Sequence, residues 1–249
     1  MNFFLTLAFL FFIGSTVGWG IEVIFRRFFS GANPERRWIN PGFLTGPYLP
    51  LYGFGLIFLY LIASAEAVFP IADPVVKKLV LFLFMAAAMT LTEYVAGLIF
   101  IKKMKVKLWD YSKRKGNVQG IICPLFSFFW AVLGALYYFL VHPHILDALA
   151  WLSSNLAFSF VIGFFYGVLT LDFCRSSALL VRIRRFAEER EIIVRYEELK
   201  QQIKELRYGT KRKFFVVMSS HLSKDAFTEF MESSRRKAEN LVEKLRPRR

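Results

Sequence analysis

Five long apolar runs decide most of what this chain can fold into. They cover residues 2–25, 47–69, 79–101, 118–141 and 148–174, and each approaches or exceeds the roughly 20 residues needed to cross a bilayer. Soluble core helices of that length carry a polar stripe, and these do not. With 55% hydrophobic residues, 29 Phe and a mean hydropathy of +0.41, the 249-residue chain reads as a polytopic membrane protein. The first run has no Lys or Arg before Arg26 and no A-x-A site after it, so it is expected to stay as a membrane helix rather than be cleaved.

The loops set the expected orientation. Arg26, Arg27, Arg36 and Arg37 follow the first run, and Lys102, Lys103, Lys105, Lys107, Lys113, Arg114 and Lys115 follow the third. The loop after the second run offsets Lys77 and Lys78 with Glu66 and Asp73, and the loop after the fourth has no Lys or Arg. Positive loops stay inside. The N-terminus is therefore expected outside, with both basic loops and the C-terminus in the cytoplasm of a cell bounded by an inner membrane.

The expected fold is all-α: a bundle of about five transmembrane helices over residues 1–178, then a basic, helical cytoplasmic tail over 179–249. From Arg182 the tail carries 19 Lys/Arg against 11 Asp/Glu. Ile192, Tyr196, Leu199, Ile203 and Leu206 recur at helical spacing before Gly209, and Phe227, Phe230, Met231, Leu241 and Leu245 suggest a second tail helix. The tail's mixed charges argue against nucleic acid and fit membrane lipid, oligomerisation or docking of a partner.

A parallel internal repeat of helical hairpins is expected, in units of about 3–69 and 79–141. Glu22 precedes Trp38 by sixteen residues, and Glu93 precedes Trp109 by sixteen; Gly46, Pro50 and Gly53 then match Gly120, Pro124 and Ser127 at spacings of four and three. Gly14, Gly18 and Glu22 stack on one helical face, as small residues do at close helix contacts. A carboxylate inside an apolar helix costs a few kcal/mol unless it is paired, protonated or hydrated. Glu22 has Arg26 one turn away, whereas Glu93 lies nine residues from the nearest cation along its helix. Asp172, three residues before Arg175, is expected to form an interfacial ion pair. Gly42, Gly46 and Pro47 rule out a regular helix before Pro50, and irregular backbone near membrane depth must be buried by protein or line a cavity. A polar cavity opening to the cytoplasm is expected, built around Glu22 and Glu93 and lined or capped by Asn40, Asp110, Tyr111 and Asn117. N–H groups freed at the starts of the second and fourth runs would favour negative charge there. Packing alone, with Trp38 and Trp109 as interfacial aromatics, explains the same glycines and prolines about as well.

At Gly18-Trp19 with Glu22, Gly42-Phe43-Leu44, Gly46-Pro47-Tyr48, Pro50 to Gly55, Glu93, Trp109-Asp110-Tyr111-Ser112, Asn117 and Gly120, the chain resembles a bacterial family of integral membrane proteins described as putative ABC-transporter type IV, or CmpB-like permeases. The resemblance covers about residues 9–140. Where the family usually reads Arg-Gly-Phe this chain has Pro41-Gly42-Phe43, so Arg36 or Arg37 is expected to supply a cation for the glutamate. The resemblance implies a permease-like transporter component. No G-x-x-x-x-G-K-[ST] loop occurs, so an ATPase would be a separate chain.

Other function classes stay open on sequence alone. The paired acids and Trp-Asp-Tyr-Ser also suit a membrane-embedded lipid-modifying enzyme, although His142 and His144 fall on the far side and His221 in the tail. A non-catalytic scaffold or regulator is the third class. Cys123 and Cys174 form no C-x-x-C and no metal-ligand spacing, so neither a metal nor a cofactor is expected, and both read as buried small hydrophobes.

Overall fold

A computed structural model describes residues 2–31, 33, 35–189, 191–200, 202 and 227–232. Among the described residues, six long α-helices carry the chain: α1 (Phe3–Phe28), α2 (Pro50–Ser64), α3 (Pro74–Met104), α4 (Pro124–Leu136), α5 (His142–Ser154) and α6 (Ser159–Glu189). Five stretches among the described residues are long and apolar enough to span a membrane, because α4 and α5 form one continuous span. The chain is a multi-pass helical membrane protein. Large apolar side chains exposed around the bundle, including Phe4, Phe58, Leu83, Phe128, Phe160 and Phe164, form the surface that lipid covers.

The helix ends follow local chemistry. Asn2 caps α1 by accepting from the Phe4 amide at 3.0 Å, and Asp73 caps α3 by accepting from Val75 and Val76. Pro50, Pro74 and Pro124 stand at the starts of α2, α3 and α4, where a missing N–H costs nothing. Arg26 and Arg27 end α1, and Lys102 and Lys103 end α3, matching the negative end of each helix dipole.

The fourth span runs past its expected end at Val141 to Ser154. Pro143 does not break it, because residues 137–141 wind as a π-turn in which the His142 amide donates to the Tyr137 carbonyl. The final span then starts at 156 rather than 148.

Two cores stack along the bundle. One lies between the spans and gathers Phe9, Leu10, Leu59, Met85, Met89, Trp130, Tyr137 and Ile162. The other sits at the end carrying the basic loops. It joins Phe43, Leu44 and Tyr48 of the first loop, Val106 and Leu108 of the second, and Leu179, Leu180, Ile183 and Phe186 of α6. At 1.5 Å per residue, 31 residues give α6 a length of about 46 Å, well beyond a hydrocarbon core of about 30 Å. Its excess length carries the second core.

Tail residues complete that core. Val194, Tyr196, Leu199 and Phe227 are all buried in it. The expected seam beginning at Ile192 is not helical there: Ile192 is exposed, and Val194–Arg195 (β2) pair in parallel with Val106–Lys107 (β1). Helix starts at Tyr196, after the strand has used the backbone groups that a longer helix would need. Phe227 packs edge-on against Phe186, placing the helical residues 227–232 against α6. Ile203, Leu206, Gly209, His221, Leu241 and Leu245 lie outside the described residues.

Candidate functional site

The acids predicted from sequence both lie near the end of the bundle that carries the basic loops. Glu22, on α1, accepts from Arg26 Nε and from the Tyr52 hydroxyl, each at 2.9 Å. Tyr52 reaches it because position 18 is glycine; a Cβ there would fall on the tyrosine ring. The cation for Glu22 is thus Arg26, not Arg36 or Arg37; Arg37 pairs with Glu35 in its own loop.

Glu93, on α3, is 3% exposed, and its two oxygens accept from the Tyr111 hydroxyl and the Trp130 indole N–H, each at 3.0 Å. Both donors are aromatic and neutral. Tyr111 is stacked on Phe126 at 4.3 Å, which fixes the direction of its hydroxyl. Burial, and then the Glu93 carboxylate that its hydroxyl faces, push the Tyr111 phenol well above its ordinary pKa, so it stays a hydrogen-bond donor. Tyr52 and Trp130, one from each acid's donor set, meet with ring centroids 5.3 Å apart. The two carboxylates are linked through this aromatic pair.

The first re-entry loop answers where irregular backbone puts its polar groups. Asn40, 1% exposed, accepts from the Trp19 indole at 2.7 Å and donates to the carbonyls of Leu44 and Thr45. The Leu49 amide donates to the Ser15 carbonyl of α1. The amides of Thr45 and Gly46 both donate to Asp172 Oδ2 at 2.9 Å, and the Tyr48 hydroxyl joins them at 2.6 Å. Burial and this contact with Asp172 raise the Tyr48 pKa. Asp172 therefore takes its partners from the loop and from Ser176 rather than from Arg175. The anion that meets the freed N–H groups of this loop is the chain's own.

Asp110 and Asn117 organise the second loop. Burial opposes ionisation of Asp110, but hydrogen bonds from Ser112 and the nearby Lys107 ammonium outweigh it and hold the carboxyl below its usual range. Asn117 donates to the carbonyls of Ser112 and Arg114 and accepts from the Gly120 amide. Gly120, at φ +69°, takes the left-handed turn, and its carbonyl accepts from Tyr111 N–H. The Trp109 indole donates to the Ile121 carbonyl at 2.8 Å. Gly42 also turns left-handed, at φ +74°, and Gly46 lies where a Cβ would meet the Tyr48 ring; Pro47 sits between these two loop residues and the start of α2. Trp38 is 42% exposed, beside Arg27 and Phe28. Cys123 is buried as expected, whereas Cys174 is exposed on the outer face of α6.

Three groups at this end escape a reading of motifs: Trp130, Asp172 and Lys200. An indole N–H inside a membrane helix needs an acceptor, which is a signal that could have paired Trp130 with Glu93. No local pattern indicates that Asp172 binds a loop 126 residues away, or that Lys200 donates to the Asn40 carbonyl at 2.6 Å.

Among known protein families, the model described as "Putative ABC-transporter type IV" matches residues 9–177. No curated protein and no solved structure matches the chain.

Proposed function

The chain belongs to the Putative ABC-transporter type IV family, and on that premise we propose that it is a permease-like transporter component whose polar site is built around Glu22 and Glu93. The observation that carries this reading is Glu93: a carboxylate 3% exposed inside a membrane helix, held by a phenol and an indole and, among the described residues, by no cation in its hydrogen-bond set. An intramembrane acid of this kind marks a substrate, ion or proton path more often than a packing contact. In this reading the aromatic clasp of Tyr52, Trp130 and Tyr111 closes the site. Its opening gives a cavity that faces the cytoplasm, with Asn40, Asp110 and Asn117 shaping the loops at its mouth.

The orientation belongs to the same proposal. The N-terminus lies outside the cytoplasmic membrane, and the basic loops and tail lie inside, as the excess of Lys and Arg at that end supports. The transmembrane domain takes up residues 1–178 and its hairpins form a parallel repeat. Both re-entry loops ending on a proline at the first turn of the next helix support that relationship. Energy comes from a separate ATPase chain, which docks, with any oligomeric contact, on the cytoplasmic end and tail.

The test is substitution with two controls. Glu93→Gln and Glu22→Gln, each compared with the parent for accumulation in the membrane and for the phenotype of cells lacking the chain, are expected to accumulate normally and fail to complement. Parent-like complementation by both variants would remove the carboxylate site from the account. Affinity capture of the tagged chain should retain an ATPase bearing G-x-x-x-x-G-K-[ST].

A further inference from the structure

After the family match ends at residue 177, α6 runs on to Glu189, and the chain then turns back under the bundle at 191–200. Four contacts in seven residues fix that return. The Val194 amide donates to the Lys105 carbonyl at 3.0 Å, and β2 adds a parallel strand to β1 in the second loop. Arg195 Nε lies 3.0 Å from Asp110 of the same loop. Arg26 sets its second guanidinium nitrogen 2.9 Å from Glu197, close enough for an ion pair though poorly aligned for a hydrogen bond. Lys200, 6% exposed, reaches the Asn40 carbonyl in the first loop. Tyr196 and Leu199 are buried between them, in the same core as Leu44 and Val106.

These contacts differ in kind from ordinary surface solvation of a basic tail. A buried ammonium is costly to leave without an acceptor, so the Lys200 contact with the Asn40 carbonyl specifies one seating, with the Tyr196 and Leu199 side chains buried beside it. The seated segment touches both re-entry loops: Tyr111 of the second binds Glu93 directly, and Asn40 of the first binds Trp19, one turn from Glu22 on α1. We propose that residues 194–200 are an intramolecular latch. Seated, the latch ties the 29–49 loop to the 105–123 loop and holds Arg26 between Glu22 and Glu197. Released, it frees both loops together and uncovers the face on which they meet. The latch rests on the contacts of the tail alone, and it stands or falls independently of transport.

The test uses the full chain in nanodiscs, where both faces are open to reagent, so the orientation in the membrane does not enter. With Cys123→Ser and Cys174→Ser as background, Leu44→Cys is a reporter under the latch, since Leu44 is 2% exposed beside the tail side chains. Reaction with a water-soluble maleimide is expected to be slow. Arg195→Asp should speed it about fivefold, the scale of a lost partly exposed ion pair turned to repulsion. A second variant carries a specific protease sequence after Glu189 and is cut only once the protein is assembled, so folding precedes release. Cutting should raise the rate roughly tenfold. A parent-like rate in Arg195→Asp, or no change on cutting, would each overturn the latch.

Discussion

Glu22 of the first membrane helix and Glu197 of the tail meet on one arginine: Arg26 lies 2.9 Å from each carboxylate. Two acids 175 positions apart in the chain are thereby held on a single guanidinium at the mouth of the bundle. A guanidinium stays charged at any physiological pH and presents five donors in a rigid fork, so it can serve both partners at once. A lysine there would be a point charge on a flexible stem. Arg26→Lys is expected to keep α1 and the Glu22 contact while weakening the hold on Glu197. Hydrogen exchange at the amides of 194–200 should speed up more than exchange within α1.

Gly18 and Gly20 make a matched pair of substitutions. A Cβ at Gly18 would land on the Tyr52 ring, whereas nothing lies within 4 Å of one built at Gly20. Gly18→Ala is expected to displace Tyr52 from Glu22 and destabilise by about 1–3 kcal/mol, the usual result of overfilling a packed site. Gly20→Ala should be neutral or stabilise by up to about 1 kcal/mol through helix propensity. Thermal midpoints of the two variants in the same detergent decide between them.

Trp130→Phe keeps the ring packed on Tyr52 but removes the indole N–H from Glu93. A buried carboxylate that loses one of two donors should cost about 1–3 kcal/mol. Tyr111→Phe removes the other donor, and because both act on one group the double variant should depart from additivity. A thermal-unfolding cycle measures that coupling.

Asp172→Asn should be costlier than its neighbours suggest. The carboxylate accepts from two amides and a phenol through one oxygen and from Ser176 through the other, and an amide side chain keeps one acceptor oxygen, loses the second and carries no charge. About 2–3 kcal/mol is expected, with faster proteolysis within 41–49, while Arg175→Gln should leave both stability and cleavage unchanged.

Much of the architecture was legible because lipid imposes it. Five apolar runs, Pro50 and Pro124 at helix starts, and Asp73 before Pro74 act within a few residues, and each appears where local chemistry places it. Glu22 with Arg26 was legible for the same reason, at i, i+4. What the sequence did not disclose depends on contacts across the chain. Asp172 and Arg175 form a plausible local pair, yet the amides of a loop far upstream compete better for the carboxylate. The fourth apolar run was expected to end at Val141, and the π-turn at 137–141 carries the helix past Pro143 to Ser154. Ile192 fits a helical seam, and strand pairing at Val194 overrides the seam.

The pH response of the loops follows from Asp110. Its carboxyl is held below the usual range, so its contribution is fully present above the unfolded value near pH 3.9 and is lost as pH falls through the lower folded value. Maleimide reaction of Leu44→Cys should therefore be insensitive to the seating of Asp110 between pH 8 and about pH 5, once corrected for thiolate ionisation. Protease cleavage of the 105–123 loop should rise only under more acid conditions.

The central claim is that Glu93 belongs to a site that opens toward the cytoplasm. Vesicles of opposite sidedness treated with a water-soluble carbodiimide and an amine nucleophile, followed by peptide mapping, test it most directly. The account predicts an adduct on Glu93 in inside-out vesicles, little or none in right-side-out vesicles, and none at this position in Glu93→Gln. Modification only from the outer face, or a Glu93 unreactive from both faces while exposed carboxylates react, would contradict it.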